Sequence, residues 1–541
     1  MNAAVSAERF ERYRQPAELR EQWLLQGLTS HAVVGPTLYA RLLQFPANPA
    51  VVDGGVRLSN GELVACSERL AGALAGVGVG AGDVVSWQIP NWWEALATAL
   101  AVWRLGAVNN PVLMIYREHE LRQIFSDLEP KAVVAPREFR RFAHHEMLDS
   151  VLAEIGHEPA LRVGVRGGDG RWAEFEELIS ASDPAPAATG VGPDDPCVVA
   201  YTSGTTAGAK GVVIDSTSLL AETRQMRETW GMSWDDVSFM PAPLAHLTGV
   251  TVGLTVPFTA GGSVVLMDTW QPELAVPTME REGCTISSGT PIFLEEIVRG
   301  YEDLGTERSS LRQYSVGGQA VVPTLIERAQ AVGIGAFRCY GMTEHLSTTI
   351  ANASSPMETR RDSDGPVGPG SEISCVDEDG NVLPQGEPGE IRVRGPERMM
   401  GYVNPAHNEG VLDPEEGWFS TGDVGFVDDE GNVHISGRIK DIINRGGEKF
   451  SAREMEDIIC RHPDIRQAAV VPAPDERFGE VPAAFLVLAE GATEPAAEEL
   501  IEFVRGQGLA KQKTPISWQA IETLPATPFG KVKKQELIEL L

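Results

Sequence analysis

The chain has 541 residues, too many for a single hydrophobic core, so two or more domains are expected. Its composition, 43% hydrophobic and 22% charged, is that of an ordinary globular protein. The net charge of -31 argues against a protein that binds nucleic acid or an anionic membrane surface, although a local cationic pocket could still bind an anionic small molecule.

The sequence predicts no membrane anchor and no cysteine-based site. Residues 1–15 are charged and polar, unlike a signal peptide. The longest apolar stretch, residues 95–108, is interrupted by Arg104 and is too short to span a bilayer. The six cysteines are scattered without a C-x-x-C pair, so they indicate neither a zinc site nor a disulfide framework. A cytoplasmic enzyme is therefore expected.

Strand-like and helix-like segments alternate in the first third of the chain. Residues 83–89 and 131–135 have the composition of buried strands, and residues 92–105 between them have helical spacing. This alternation is typical of a parallel sheet with crossover helices. Residues 182–195 are rich in Pro, Ala and Gly and form a linker to the next motif.

The strongest local signal is YTSGTTAGAKG, residues 201–211. Ser, Thr and Gly disfavour a helix, and a short apolar strand candidate, residues 197–200, precedes the stretch. Such a loop can donate N–H and O–H groups to phosphate oxygens, and Lys210 adds a positive charge. The spacing of a Walker A loop is absent. Taken alone, a polar surface loop explains a Ser/Gly cluster as well.

Two weaker signals follow. The segment FMPAPLAHLTG places His246 at the start of a predicted helix, where a partly buried structural histidine is an equally good explanation. The segment YSVGGQA is a predicted strand that ends in Gly317 and Gly318. Paired glycines suit either a close approach of the backbone to a ligand or a tight turn.

Four further polar motifs lie in the second half of the chain: RCYGMTEH (338–345), GWFSTGD (417–423), GRIKDIINRGGE (437–448) and LPATPFGKVKK (524–534). An Asp in a G-D turn is usually a turn residue, and a Lys-rich terminal run is usually a solvated surface. Ser451 followed by Glu454 is a capping box that predicts a helix start, and residues 465–472 and 483–488 are predicted strands. A small α+β domain is expected there.

As an ordered set, these motifs resemble the adenylate-forming superfamily of acyl-CoA synthetases, peptide-synthetase adenylation domains and luciferases. The matching segments extend from Gly80 to Leu541. Ala207 and Ala209 stand where Gly and Pro are common in the family, and Ala526 stands where Arg is usual. The last quarter of the chain, with INRGGEK and AKQKTP, is similar to acid–CoA ligases and aryl-acid activating enzymes. The stretches LMIYREHELR (113–122) and PLAHLTG (243–249) make the chain most similar to acid–CoA ligases of the cyclohexanecarboxylate and short- to medium-chain acyl type.

The resemblance implies an α/β fold in two domains. A large N-terminal domain, residues 1–439, would contain mixed and parallel sheets sandwiched with helices and a β-barrel-like part. It would bind ATP and the acid. A small mobile α+β domain, residues 440–541, would move about a hinge at Lys440. The implied cofactors are ATP, Mg²⁺ and coenzyme A, and AMP and pyrophosphate are the implied products.

The resemblance also implies the site residues. Lys531 would be the mobile catalytic ammonium group and Glu344 the Mg²⁺ ligand, with Thr202 and His246 completing the catalytic set. Cofactor contacts are expected from Thr202, Ser203, Gly204, Thr205, Thr206, Lys210, Gly318, Gln319, Ala320, Tyr340, Gly341, Met342, Thr343, Asp423, Arg438, Lys440, Gly446 and Gly447. The acid pocket is expected from His246, Leu247, Val250, Gly289, Gly317, Gly318, Gly341, His345 and Leu346.

The predicted substrate is an apolar monocarboxylate of alicyclic, branched or medium-chain type. Leu247 stands where hydroxybenzoate-activating relatives often have Asn, and the expected pocket walls contain no Lys or Arg for a second carboxylate. Two alternatives stay open: an enzyme that passes the acyl group to a carrier-protein pantetheine or an amine, and a non-catalytic nucleotide-binding protein. A homodimer is a working assumption.

Overall fold

Two large sheets form most of the first 440 residues in this computed structural model. The structure describes residues 5–202, 209–305, 308–446, 448–475, 477–526 and 532–541. The strands are β1 (Pro49–Asp53), β2 (Val56–Ser59), β3 (Val84–Trp87), β4 (Val108–Pro111), β5 (Ala132–Pro136), β6 (Glu138–Phe139), β7 (Phe142–Ala143), β8 (Leu161–Val165), β9 (Ala173–Glu174), β10 (Pro196–Thr202), β11 (Lys210–Asp215), β12 (Val237–Met240), β13 (Ser263–Leu266), β14 (Ile286–Gly289), β15 (Gln313–Val316), β16 (Gly335–Arg338), β17 (Glu372–Val376), β18 (Gly389–Arg394), β19 (Gly401–Tyr402), β20 (Phe419–Val427), β21 (Val433–Arg438), β22 (Ile442–Arg445), β23 (Glu448–Ser451), β24 (Ile465–Asp475), β25 (Gly479–Leu488) and β26 (Ser517–Ala520). The first sheet has the strand order β16-β15-β14-β12-β13-β1-β2, and the second has the order β19-β11-β10-β4-β3-β5-β8-β9.

Both large sheets are mainly parallel and carry helices between their strands. The antiparallel pairs are β1 with β2, β10 with β11, and β11 with β19. The helices are α1 (Ala7–Phe10), α2 (Ala17–Leu25), α3 (Val34–Gln44), α4 (Asn60–Gly76), α5 (Trp93–Arg104), α6 (Glu118–Leu128), α7 (His144–Ile155), α8 (Phe175–Ala181), α9 (Ser216–Thr229), α10 (Leu247–Val250), α11 (Val256–Ala260), α12 (Pro272–Glu282), α13 (Pro291–Leu304), α14 (Pro323–Ala331), α15 (Met357–Asp362), α16 (Ala452–Ile459), α17 (Ala497–Gly506) and α18 (Lys534–Ile538).

The sequence explains why α5 lies deep in the protein. Every residue from Trp93 to Trp103 is buried, and the helix is apolar on nearly all sides. A helix without a polar face has no side that water stabilises, so it packs inside the core. The predicted strand–helix–strand order around it is confirmed by β3, α5 and β5.

Two smaller sheets complete the chain. The part expected to be barrel-like is a four-stranded antiparallel sheet in the order β17-β18-β20-β21. The C-terminal sheet has the order β23-β22-β25-β24, with β26 parallel to β25, and it packs against α16 and α17 around a separate hydrophobic cluster. The predicted α/β fold with a small C-terminal α+β unit is confirmed.

The predicted helix start at Ser451 is correct, but only half of the capping box forms. Ser451 Oγ accepts a hydrogen bond from Glu454 N, and α16 begins at the next residue. The Glu454 carboxylate instead accepts a hydrogen bond from Lys513 Nζ at 2.7 Å. Across the described ranges, no helix combines the length and the apolar character needed to cross a bilayer.

Candidate active site

The predicted phosphate loop connects two antiparallel strands. β10 ends at Thr202, β11 begins at Lys210, and these residues are partners across the hairpin. Thr202 and Lys210 therefore stand at the two ends of the loop. The other predicted loop contacts, Ser203, Gly204, Thr205 and Thr206, lie outside the described residues.

Side chains in and before α6 hold both strands of this hairpin. Gln123 Nε2 donates to Ala209 O at 2.6 Å, and Gln123 Oε1 accepts from Ala209 N at 3.1 Å. Tyr116 Oη donates to Tyr201 O at 3.1 Å, and Tyr201 Oη donates to Asp127 Oδ2 at 3.0 Å. No local motif marks Gln123 or Asp127, so the sequence alone does not predict a role for them.

One tyrosine links the predicted metal ligand to the lysine of the loop. Tyr402 Oη donates to Glu344 Oε1 at 2.7 Å, and Lys210 Nζ lies 5.0 Å from the centroid of the Tyr402 ring. The second distance is within the range of cation–π attraction. Pairing of β19 with β11 sets Tyr402 opposite Val212 and so brings the three groups together. Sequence analysis missed Tyr402.

Tyr402 is neutral, as a hydrogen-bond donor to the Glu344 carboxylate must be. Burial, reinforced by the Glu344 carboxylate, raises the pKa of the Tyr402 phenol, so the hydroxyl stays protonated and donates. Glu344 is only partly buried, and a single carboxylate completed by phosphate oxygens and water is the environment that Mg²⁺ prefers. The residues present therefore fit a Mg²⁺ site that the substrate completes. No cluster of three or more His, Cys, Asp or Glu side chains within the described ranges could hold a metal by itself.

The residues predicted to bind the nucleoside are in direct contact. Tyr340 Oη donates to Asp423 Oδ2 at 2.7 Å, and Arg438 Nε lies 3.0 Å from Asp423 Oδ1. Asp423 and Arg438 are partners across the β20–β21 hairpin. Tyr340 N donates to Thr349 Oγ1 at 2.8 Å, which fixes the backbone beneath the ring. Asp423 thus orients one aromatic and one cationic group while its remaining lone pairs can accept further donors.

The glycines beside this group are required by close backbone packing and by backbone conformation. A Cβ at Gly341 would lie 1.8 Å from Leu346 O, an oxygen that accepts a hydrogen bond from Met342 N at 3.1 Å. Gly318 has φ +77°, which side chains disfavour, and a Cβ there would lie 3.9 Å from Thr290 Cγ2, an ordinary contact distance. The remaining predicted contacts in these two turns are at least partly exposed: Gln319, Ala320 and Thr343.

The predicted acid-pocket residues include side chains at the start of α10 and glycines that follow or end strands elsewhere. His246 is the N-cap of α10, where its Nδ1 accepts from Thr248 N at 3.2 Å, and Leu247 and Val250 are buried in that helix. A Cβ at Gly317 would lie 2.7 Å from Cys339 Sγ, and a Cβ at Gly289 would lie 2.6 Å from the Tyr314 hydroxyl oxygen. The missing side chains at Gly317 and Gly289 therefore leave room for Cys339 and Tyr314.

His345 is a core residue. It is fully buried, and its Nδ1 lies 3.1 Å from Thr348 Oγ1. Burial and the nearby Arg398 guanidinium lower the pKa of His345 to about 3, so the ring is neutral. Its Nε2 lies 2.9 Å from the position that a Cβ at Gly395 would occupy, which places it against the 395–398 segment.

A buried carboxyl on α9 holds the segment after His345 and was missed by sequence analysis. Glu222 Oε1 accepts from Ser347 Oγ at 2.6 Å, and Gln225 Nε2 donates to Ser347 O at 2.9 Å. Burial raises the pKa of Glu222 to about 7. A second buried carboxyl, Glu397, has its pKa raised to about 8 by burial and by Glu222. Nothing in the local sequence marks either acid.

The residues predicted to take part in the domain motion belong to the last hundred or so residues of the chain. Lys440 is in a short 3₁₀ turn, Ile439–Asp441, between β21 and β22. Gly446 has φ +63° and donates its N–H to Phe478 O at 2.8 Å. Gly447 and Lys531 lie outside the described residues.

Two family models match the chain. The model described as AMP-binding enzyme matches residues 38–403, and the model described as AMP-binding enzyme C-terminal domain matches residues 454–531. The chain belongs to the AMP-binding enzyme family. The resemblance to adenylate-forming enzymes is thereby confirmed.

Named relatives of this AMP-binding enzyme match it over nearly its whole length. It is 33% identical to a medium-chain fatty-acid–CoA ligase of Escherichia coli (strain K12), covering 95% of this chain and 91% of that protein. ATP-bound MatB from Rhodopseudomonas palustris superimposes with a TM-score of 0.83 at 29% identity, covering 93% of this chain and 98% of that one. The amide bond synthetase McbA from Marinactinospora thermotolerans gives a TM-score of 0.82 at 26% identity, covering 94% and 100%.

Proposed function

We propose that the protein is an ATP-dependent carboxylic acid–CoA ligase that makes an acyl-AMP intermediate and then an acyl-CoA thioester. One segment supports this function most directly. Within five consecutive residues, 340–344, Tyr340 contacts Asp423, whereas Glu344 contacts Tyr402. Tyr340 is the proposed contact for the nucleoside, and Glu344 is the proposed Mg²⁺ ligand. Their closeness suits a nucleotide whose phosphates extend from the nucleoside to the metal ion.

In the first half-reaction, the acid carboxylate attacks the α-phosphorus of ATP and pyrophosphate leaves. The barrier consists mainly of charge and alignment. Lys210 would hold the outgoing phosphates, Asp423 would accept hydrogen bonds from the ribose hydroxyls, and Lys531 would bridge the carboxylate and the α-phosphate. Bound at Glu344, Mg²⁺ would neutralise phosphate charge.

In the second half-reaction, the CoA sulfur attacks the acyl carbonyl carbon and AMP leaves with the electron pair of the broken C–O bond. Lys531 would first have to move away. We propose that residues 440–541 turn about Lys440, and that Gly446 and Gly447 then face the pantetheine arm, where missing side chains leave room for it. The proposed domain boundary after residue 439 follows from this motion. ATP, Mg²⁺ and CoA are the cofactors of this reaction.

The substrate proposal is an apolar monocarboxylate of alicyclic, branched or medium-chain type. It is supported by the buried aliphatic side chains of Leu247 and Val250 and by similarity to the E. coli medium-chain ligase. A second candidate is acyl transfer to an amine or to a carrier-protein pantetheine, which the similarity to an amide bond synthetase supports. A homodimer stays a prediction.

The test is pyrophosphate release from ATP over a panel of about a hundred carboxylic acids, each with CoA, with an amine or with no acceptor. We expect acid-dependent pyrophosphate, and AMP and acyl-CoA formation that depend on CoA. Turnover that increases with amine but not with CoA would favour the second candidate. No acid-dependent pyrophosphate with any acid would contradict both.

A further inference from the structure

A cavity lies on the side of α9 away from Glu222 and Gln225. It has a volume of about 540 Å³ and is lined by residues of α3, α9 and α11 and by the segment before α3. Small-molecule sites commonly enclose roughly 300–1,000 Å³. Leu28, Ala40 and Leu220 give it aliphatic walls. One helix therefore separates this cavity from the Ser347 segment of the candidate active site.

The charge of the cavity wall is unusual for so acidic a protein. Arg41, Arg224 and Arg227 line it, and among the residues that the structure describes no Asp or Glu does, although the chain carries a net charge of -31. Arg224 Nε donates to Glu228 at 2.8 Å, and Arg227 Nη2 lies 3.4 Å from the same carboxylate. The single negative charge of Glu228 therefore balances only one of the two positive charges of Arg224 and Arg227.

The third guanidinium group has only neutral partners. Arg41 donates to Gln44 Oε1 and to Ala260 O, and within the described part of the chain it forms no ion pair. An anion in the cavity would give Arg41 the charged partner that it lacks within the described part of the chain.

Helix ends explain part of this charge. Arg41 is in the last turn of α3 and Arg227 is in the last turn of α9, where a cation interacts favourably with the helix dipole. That interaction accounts for a cation at each helix end. The pair with Glu228, one turn further along α9, accounts for Arg224. Neither effect explains why all three arginines line one partly aliphatic cavity.

We propose that this cavity binds an amphipathic anion, a medium-chain aliphatic carboxylate. The carboxylate would accept charge-assisted hydrogen bonds from Arg41, Arg224 and Arg227, and the chain would lie against Leu28, Ala40 and Leu220. The site goes beyond the proposed ligase reaction, because it needs neither nucleotide nor turnover.

The test uses a ten-carbon carboxylate with a diazirine near the end of its chain, photolysed with the full-length protein. Labelled peptides are mapped by mass spectrometry. We expect label within residues 28–44 and 216–229, removed by excess decanoate but not by decanol or acetate. Label near His246 would report the proposed acid pocket separately. The two proposals can therefore fail independently.

Charge-reversal variants test whether the arginines of the cavity bind the carboxylate of the probe. Arg227→Glu should reduce labelling of the cavity about tenfold or more, the scale of losing a charge-assisted contact. Arg299→Glu, on the exposed face of α13, is the matched charge reversal and should label like the wild type. If Arg227→Glu does not fold, Arg224→Gln gives the same comparison. Equal labelling in the cavity and control variants, label scattered over the surface, or equal competition by decanol would overturn the proposal.

Discussion

Tyr402 illustrates how one side chain can position two charged groups at once. Its hydroxyl donates to Glu344, and its ring lies beneath the ammonium group of Lys210. Lys210 and Glu344 are thereby kept near each other without forming an ion pair with one another in the structure. Each stays able to bind its own ligand, phosphate for the lysine and Mg²⁺ for the carboxylate.

Tyr402→Phe should remove the hydrogen bond to Glu344 and keep the ring beneath Lys210. A hydrogen bond to a charged group contributes about 1.5–3 kcal/mol, so we expect kcat/KM for pyrophosphate release to fall about tenfold or more. The Mg²⁺ concentration for half-maximal activity should rise. The matched control is Tyr301→Phe, which removes a similar bond to Glu280 far from the site. Unchanged Mg²⁺ dependence in Tyr402→Phe would contradict the positioning role.

Asp423→Ala should raise the KM for ATP about tenfold, with a smaller effect on kcat. The variant loses the proposed ribose acceptor, and it leaves the buried Tyr340 hydroxyl and Arg438 without their shared partner. Initial rates at varied ATP give the result. The control is Asp428→Ala on the same hairpin, where the carboxylate accepts from His434. An unchanged KM for ATP would exclude a ribose contact.

At the level of single residues, motifs predicted those parts of the candidate site that are close in sequence. Tyr340, Glu344, Asp423 and Arg438 were each found in a short motif of recognisable composition. Tyr402 could not be found that way, because its importance comes from pairing with a strand far away in the chain. Gln123 and Glu222 were missed for the same reason.

At the level of elements, α9 shows how a helix can connect a buried acid to the site. Its Glu222 carboxyl holds Ser347, and Glu397 lies in the adjoining loop before β19, where Ser371 Oγ donates to it at 3.0 Å. Burial raises the pKa of Glu397 from its ordinary 4.5 to about 8. Between those pH values the folded state binds more protons than the unfolded state.

The free energy of unfolding should therefore fall as pH rises from about 5 to 8, and Glu397→Gln should reduce that fall. We expect the wild type to lose on the order of 3 kcal/mol more than the variant over this window. Urea unfolding at both pH values measures it. Glu372→Gln, which breaks a surface pair with Arg394, is the control and should keep the wild-type slope. Equal slopes in all three proteins would show that Glu397 is not protonated in the folded state.

Periodicity and apolar runs predicted which segments form strands and helices better than they predicted which strands pair. β3, α5, β5 and β10 follow directly from composition, because buried parallel strands and buried helices are apolar throughout. The two-residue strand β19 has no pattern of its own. Its place beside β11 depends on contacts that only the folded chain creates.

At the level of the whole molecule, a two-domain enzyme can run two reactions at one nucleotide site. The small C-terminal unit has its own hydrophobic cluster and would supply Lys531 for the first step and Gly446 and Gly447 for the second. The hinge and the domain motion were predicted from resemblance alone, because a single sequence carries no record of two orientations. They stay proposals.

Lys531→Ala should slow adenylation about 10²-fold or more, the scale for removing one positioned charged donor. It should leave thioester formation from supplied acyl-adenylate and CoA nearly unchanged. Both half-reactions are measured separately, with Lys533→Ala as the control, since Lys533 pairs with Glu536. Equal losses in both half-reactions would mean that Lys531 does not act in the first step alone.

The proposed reaction depends on activation of the acid as a mixed anhydride with AMP. An acid substrate whose carboxylate oxygens are both the heavy isotope is turned over with ATP, Mg²⁺ and CoA, and the products are analysed by mass spectrometry. Our account predicts one heavy oxygen in AMP and none in pyrophosphate, because the carboxylate oxygen that attacks phosphorus stays with AMP. Unlabelled AMP, or label in inorganic phosphate with ADP as the nucleotide product, would contradict it.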